Sequence, residues 1–208
     1  GERKRLCVSV NSALVSAGPF AAFAASSTEL AISGLIAPSA CSPMLSSAGV
    51  VDYGKISAKD LNASRPTALP DVTLQLTIDC EAATLFALEP LDNRSASGFP
   101  GSSYGIGFVN GIKKLGTYYL EMKNPLADEV PAHTIASGDN GVTWYKEKFM
   151  DPGYLHAISS PVDNSTPIPL KNLKMDLLIN TSILRTDNMD LSDEVPIDGS
   201  ATLDVIYL

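Results

Sequence analysis

Short apolar runs that alternate with polar residues dominate the pattern of this chain. The clearest run is "VTLQLTIDC", in which one face of an extended strand carries Val72, Leu74, Leu76 and Ile78. Similar runs are "TELAISGLIAP", "TLFALEPLD", "NLKMDLLINTSIL" and "ATLDVIYL". Gly, Pro, Asn and Asp separate them, and no long helical period occurs after Ala25. The pattern predicts about seven to nine strands in an all-β antiparallel sandwich, formed as one domain over residues 34–208.

Turn signals fit the same architecture. Asn110-Gly111 predicts a hairpin between "SYGIGFVNG" and "KLGTYYLEMKNP", and Asn140-Gly141 precedes the run "VTWYKEKF". The Pro-rich stretches 43–70 and 152–169 are expected to be loops or sheet edges, because proline donates no ladder hydrogen bond.

The first 25 residues differ from the rest of the chain. A basic start at residues 3–5 leads into an apolar stretch that ends in Ala22-Phe23-Ala24. This order is typical of a secretory signal, and the stretch is too polar for a membrane span. We therefore expect residues 1–25 to be a signal peptide, and residues 26–33 to be an N-terminal extension of an exported protein. A disordered or helical leader is the alternative.

The number of cysteines in the mature chain depends on whether residues 1–25 are removed as a signal peptide. Cys7 leaves with a signal peptide, which leaves Cys41 and Cys80. An even pair in an exported chain predicts a disulfide, worth roughly 4 kcal/mol by loop entropy. The alternative is two free, buried thiols.

The net charge and the low number of histidines limit the classes of function that we expect for this chain. The formal charge is −8, and it becomes −10 without residues 1–24, which hold three basic residues and one acidic residue. An acidic chain is a poor partner for nucleic acid or anionic lipid. The two histidines, His133 and His156, lack a second ligand at metal spacing. No metal site, cofactor or catalytic residue is predicted, and we expect the protein not to be an enzyme.

One local sequence motif is typical of a different class of protein. The stretch "SGDNGVTW" matches the Asp box of sialidases and other propellers through Ser137, Asp139, Gly141, Thr143 and Trp144. In those proteins the motif lies away from the catalytic centre and recurs in every blade, whereas here it occurs once. We read it as a structural hairpin, with a hydrolase and a glycan contact as weaker alternatives.

Four features in chain order resemble bacterial fimbrial subunits of the chaperone–usher type. They are "GLIAPSAC" (34–41), "VDYGKI" (51–56), "TLQLTIDC" (73–80) and "ATLDVIYL" (201–208). More closely, "SGLIAPSACSP", "VVDYGKIS", "LDNRSAS", "YGIGFVNGIKKLGTY" and "DEVPIDGSATLDVIYL" are similar to the family catalogued as domain of unknown function 1120, a group of exported, fimbrial-operon-associated proteins of Gram-negative bacteria. Two departures weaken the likeness to a polymerising rod subunit. Typical pilins place a glycine fourteen residues from the end, where this chain has Glu194 or Val195, and the segment before Gly34 is short.

The resemblance implies an immunoglobulin-like, pilin-type sandwich that lacks its last strand. A periplasmic chaperone, an outer-membrane usher and neighbouring fimbrial subunits would then be its partners, and the periplasm followed by the cell surface its location. The donor strand would present Leu30, Ile32, Gly34 and Ile36. The edge that contacts a chaperone or subunit would be formed by Ala201, Leu203, Val205 and Tyr207. The alternatives are a complete sandwich and a surface glycan-binding module or tip adhesin, the latter suggested by Trp144, Tyr118, Tyr119, Tyr145 and Tyr154.

Overall fold

The structure is a computed structural model that describes residues 30–33 and 40–208. The chain divides into two units, Gly1–Ile36 and Ala37–Leu208, and the second holds all the strands described below. In the described part of the chain, no helix has the length and apolar character needed to cross a membrane.

Strands account for nearly all the regular structure, with two short 3-10 turns at Ser46–Gly49 and Ala58–Asp60. The strands are β1 (Cys41–Leu45), β2 (Thr67–Ala68), β3 (Val72–Thr84), β4 (Phe86–Asp92), β5 (Tyr104–Gly105), β6 (Phe108–Val109), β7 (Lys113–Lys114), β8 (Gly116–Ala127), β9 (Val130–Pro131), β10 (His133–Ser137), β11 (Tyr145–Lys146), β12 (Leu155–Ser159), β13 (Leu170–Ile183) and β14 (Ala201–Tyr207).

Two antiparallel sheets form the sandwich. The first follows the order β1-β3-β13-β8-β5, with β2 paired to β13 and β9 paired to β8. The second follows the order β11-β10-β12-β4-β14, and β6 with β7 makes a separate two-stranded hairpin. The expected all-β antiparallel sandwich is therefore confirmed.

Alternation in the sequence explains how the core is built. Along β3, Leu74, Leu76 and Ile78 are buried, and Leu76 and Ile78 have no exposed surface. The polar residues between them face outward, since successive side chains of a strand point to opposite faces. Leu76 pairs with Met175 of β13, which is also buried. The long central strands β3, β13 and β8 thus form the inner wall of the core.

A disulfide fixes the first strand to this wall. Cys41 and Cys80 are directly paired residues of β1 and β3, and they form the disulfide that the cysteine count predicts. β1 lies at one edge of the first sheet, because β3 is its only neighbouring strand among the described residues.

The two asparagine-glycine turns have positive φ, as expected. Asn110 (φ 50°) and Gly111 (φ 70°) join β6 to β7, so the predicted turn is present. The predicted partner strands pair as well, since β6 pairs with β7 beside the turn and β5 pairs with β8 in the same register. On its other side β8 pairs with β13, which the local turn signal does not predict.

The predicted strand "TELAISGLIAP" is not present where the structure describes it. Leu30–Ser33 forms no strand, and the side chains of Leu30 and Ile32 are 83% and 89% exposed. A strand needs a neighbour for its backbone hydrogen bonds, and these four residues pair with none of the described strands. Gly34 and Ile36 lie outside the described residues.

Candidate functional site

An apolar cavity opens between the facing edges of the two sheets. Leu45 and Val51 line one side, and Ala201 and Leu203 of β14 line the other. The floor is made by inward side chains of the first sheet, among them Leu74, Leu120, Leu177 and Ile179. Its volume is about 200 Å³. We call this cavity the β14 groove.

One wall of the β14 groove is a strand edge that has no partner strand in the described part of the chain. Within residues 40–208, β14 pairs with β4 on one side and ends the second sheet on the other. Ser200 accepts a hydrogen bond from Asn93, and Leu208 donates one to Leu85, so the even-numbered residues direct their backbone groups toward β4. The N–H and C=O groups of the odd-numbered residues of β14 therefore point to the open edge.

The position of Pro90 in β4 is consistent with the even-numbered residues of β14 directing their backbone groups toward β4. Pro90 stands opposite Leu203, at a position where the β4–β14 ladder needs no N–H group. The pairing is therefore complete although β4 contains a proline. The β4–β14 pairing also determines which backbone groups of β14 remain available for another strand.

The predicted edge residues all lie on this strand. Leu203 and Val205 are half-buried and pack against the core, whereas Ala201 and Tyr207 are exposed. Tyr207 is 40% exposed, and its hydroxyl accepts a hydrogen bond from the N–H of Cys41 at 3.0 Å. The structure therefore places the C-terminal strand, the disulfide and the groove together.

The opposite wall of the β14 groove offers fewer free donors. Glu81 donates to the carbonyl of Ala40, so in β1 the odd-numbered residues direct their backbone groups toward the groove. One of these is Pro43, which has no N–H, and another is Cys41, whose N–H is bonded to Tyr207. Proline on an edge strand discourages pairing. An added strand would accordingly find its backbone donors on β14.

An ion pair holds the segment that leads into β14. Arg94 donates through Nε and Nη2 to the two carboxylate oxygens of Asp198 at 2.8 and 2.9 Å. This pairing raises the pKa of Arg94, and it lowers the pKa of the Asp198 carboxyl. Asp198 also donates its backbone N–H to Ile106. The start of β14 is therefore fixed even though its outer edge is unpaired.

The Asp-box residues form a closed local hydrogen-bond network. The hydroxyl of Ser137 donates to Asp139 at 2.7 Å, and Thr143 donates both its N–H and its hydroxyl to the same carboxylate. Gly141 has φ of 86°, and its carbonyl accepts from Trp144 Nε1 at 3.1 Å. The polar side chains of Ser137, Asp139, Thr143 and Trp144 thus all take part in shaping the hairpin that precedes β11.

Titration of Asp139 should report this network. Hydrogen bonds from the Thr143 side chain, the Thr143 backbone and Ser137 lower the pKa of Asp139 to about 2. We expect Thr143→Val, which removes the side-chain donor, to raise that pKa toward the ordinary value of 3.8. Carboxyl chemical shifts measured against pH test this. Ser165→Ala, which removes a hydroxyl bonded to Asp163, is the matched control and should leave Asp139 unchanged. An unaltered Asp139 titration in Thr143→Val would contradict the network.

The histidines do not form a reactive pair with nearby carboxylates. Buried His156 contacts the backbone carbonyl of Asp151 through Nε2 at 3.0 Å, and its Nδ1 has no hydrogen-bond partner among the residues that the structure describes. Burial lowers the pKa of His156 to about 4 and raises the pKa of the Asp151 carboxyl to about 6. His133 Nδ1 contacts Asn164 Oδ1 at 2.6 Å. Within the described residues, no group of three or more His, Cys, Asp or Glu side chains could hold a metal ion.

The aromatic residues considered for glycan stacking lie on both sheets. Trp144 packs against a small cluster on the second sheet that contains Ala87, Ile135 and Ala157. Tyr119 lies on β8 of the first sheet, as does Tyr118, whose ring is stacked on that of Tyr104. Tyr145 lies on β11 of the second sheet, so the two tyrosines of β8 are on a different sheet from it.

Sequence reasoning missed one part of the site. It did not predict that Tyr207 bonds Cys41 across the groove, since the two residues are 166 positions apart. The stretch that begins at Pro43 is expected from the sequence to be a loop or a sheet edge, and Pro43 lies in the edge strand β1.

Comparisons with known proteins give a family match over part of the chain. Residues 30–107 match the family described as "Protein of unknown function (DUF1120)". The chain is 26% identical over 206 residues to the uncharacterized protein YhcF of Escherichia coli, an alignment that covers 81% of this chain and 85% of that protein. It is also 36% identical over 104 residues to protein GltF of Escherichia coli, over 46% of this chain and 40% of that protein. The resemblance noted from the sequence is therefore supported for residues 30–107, and its fimbrial part stays a prediction.

Proposed function

We propose that this protein is a fimbrial or fimbria-associated structural subunit that is assembled by strand donation. A strand from a periplasmic chaperone occupies the β14 groove first. The N-terminal segment of a neighbouring subunit then replaces it as the usher exports the chain. The match to the family over residues 30–107 supports this proposal, as does the disulfide, since disulfides persist in oxidising compartments outside the cytosol.

The observation that carries the proposal is the β14 groove with its unpaired edge. An apolar cavity lies beside a row of backbone donors and acceptors that pair with no described strand, and this is the kind of surface to which a strand is added. Left uncovered, such an edge promotes aggregation, so an exported chain with this feature needs a partner that covers it. The proposal assigns that role to the chaperone.

The N-terminal segment has the pattern that the groove requires. Leu30 and Ile32 are exposed and fall on the same side of an extended chain. Burying two or three such side chains contributes roughly 4–8 kcal/mol before the costs of ordering the segment. Backbone hydrogen bonds to β14 add to this. Residues 28–36 of a second copy are therefore the proposed occupant.

A mixing experiment with the full exported chain tests the proposal. A donor-deficient variant carries Leu30→Asp and Ile32→Asp, and an acceptor-deficient variant carries Leu203→Asp. Each is expected to sediment as a monomer, because a charge cannot be buried in an apolar groove without a large penalty. An equimolar mixture is expected to form a one-to-one dimer, because it retains one donor and one groove.

The matched control keeps the number of added charges and moves them to the other face of the segment. Ala31→Asp with Ser33→Asp should assemble like the unmodified chain, within about threefold in affinity, since these positions alternate with the apolar ones. Near-ultraviolet circular dichroism confirms that Leu203→Asp remains folded. Dimers of the donor-deficient chain alone, or no dimer in the mixture, would contradict the proposal.

A further inference from the structure

The C-terminal tyrosine closes one end of the β14 groove. Tyr207 belongs to the second sheet and Cys41 to the first, and their hydrogen bond joins the two facing edges. The residues that line the open cavity include Leu45 and Leu203 but neither Cys41 nor Tyr207. The groove is thus open toward Ala201 and closed toward the disulfide.

The phenol lies between β14 and β1 at the disulfide end, because its hydroxyl is 3.0 Å from the backbone nitrogen of Cys41. A strand added between two edge strands needs a separation of about 9.6 Å, which is twice the spacing between neighbouring strands. At this end, such a strand would have to occupy the space where the phenol lies. The hydroxyl also accepts the hydrogen bond of the Cys41 N–H. This N–H is the donor on the edge of β1 to which an added strand could otherwise bond at this end.

We infer that Tyr207 is a gate. Its hydroxyl occupies the position of the missing strand at the disulfide end, and an added strand is fully seated only after the Tyr207–Cys41 hydrogen bond breaks. The strand therefore enters beside Ala201 and Leu203, where the groove is open, and reaches the disulfide end last. This inference rests on the proposed function, because the occupant is the strand donated by a second copy.

Exchange of a labelled peptide tests the gate. The peptide consists of residues 28–36, and the acceptor is the full exported chain with Leu30→Asp and Ile32→Asp, so that its own segment does not compete. Adding Tyr207→Phe, which removes only the hydroxyl, should speed peptide binding about fivefold, the factor that one ordinary hydrogen bond is worth. Stopped-flow fluorescence measures the rate.

The control removes a phenol hydroxyl elsewhere in the fold. Tyr104 donates to the carbonyl of Met150 at 2.6 Å in the core, and it does not line the β14 groove. Tyr104→Phe should therefore change the binding rate less than twofold, although it removes the same atom. Equal acceleration in both variants would show general loosening of the fold and would overturn the gate.

Amide hydrogen exchange tests the Tyr207 gate without the peptide. Exchange at Cys41 should rise at least fivefold in Tyr207→Phe, while Glu81, which donates to Ala40 on the other side of β1, should stay unchanged. Unchanged exchange at Cys41 would overturn the gate. If no variant binds the peptide, residues 28–36 are not the donor and the proposed function fails at that step, while the exchange at Cys41 still supports or overturns the gate.

Discussion

Replacing both cysteines, Cys41→Ser with Cys80→Ser, is expected to lower the free energy of unfolding by about 4 kcal/mol. The disulfide closes a loop across a sequence separation of 39, and its loss releases that constraint in the unfolded chain. It also releases β1, which has only β3 as a neighbour in the described sheet. Urea unfolding of the oxidised proteins measures the difference.

Reduction provides the control for this prediction. With excess reductant, the unmodified chain and the double serine variant should unfold at nearly the same urea concentration, because neither then carries the cross-link. A difference of less than about 1 kcal/mol between the oxidised proteins would contradict the stabilising role of the disulfide.

Leu76→Ala is expected to destabilise the sandwich by about 3 kcal/mol. Leu76 has no exposed surface, and truncation leaves a cavity where β3 and β13 face the core. Thermal and urea unfolding report the loss, and the variant should still form its disulfide because the β1–β3 pairing is retained.

The neighbouring position on β3 is the matched control. Gln75 is exposed on the opposite face, so Gln75→Ala should change stability by no more than about 0.5 kcal/mol. Similar losses at Gln75 and Leu76 would contradict the assignment of the two faces of β3.

The sequence predicts those features that depend on local alternation. "VTLQLTIDC" lies in β3 with its apolar face inward, and all of "NLKMDLLINTSIL" except its last residue lies in β13. The Cys41–Cys80 pairing follows from counting, since one cysteine precedes the expected cleavage point. Such features survive folding because a strand buries its apolar face whichever neighbours it acquires.

Features that depend on contacts between residues far apart in the sequence could not be predicted from local alternation. The hairpin through Asn110-Gly111 pairs β5 with β8 as expected, whereas the pairing of β8 with β13 joins strands that are far apart in the sequence. The β14 groove needs residues near 45 and near 203 to face each other, and no local pattern encodes that. The Tyr207–Cys41 hydrogen bond is of the same kind.

The most direct test of strand addition measures amide exchange along β14 in the full chain with Leu30→Asp and Ile32→Asp, before and after the peptide of residues 28–36 is added. We expect the amides of Ala201, Leu203 and Val205 to exchange rapidly in the free chain and to become protected by the peptide. The amides of Thr202 and Asp204, which point toward β4, should be protected in both states. Protection of Leu203 and Val205 in the free monomer, or no change with saturating peptide, would contradict the claim that this edge accepts a strand.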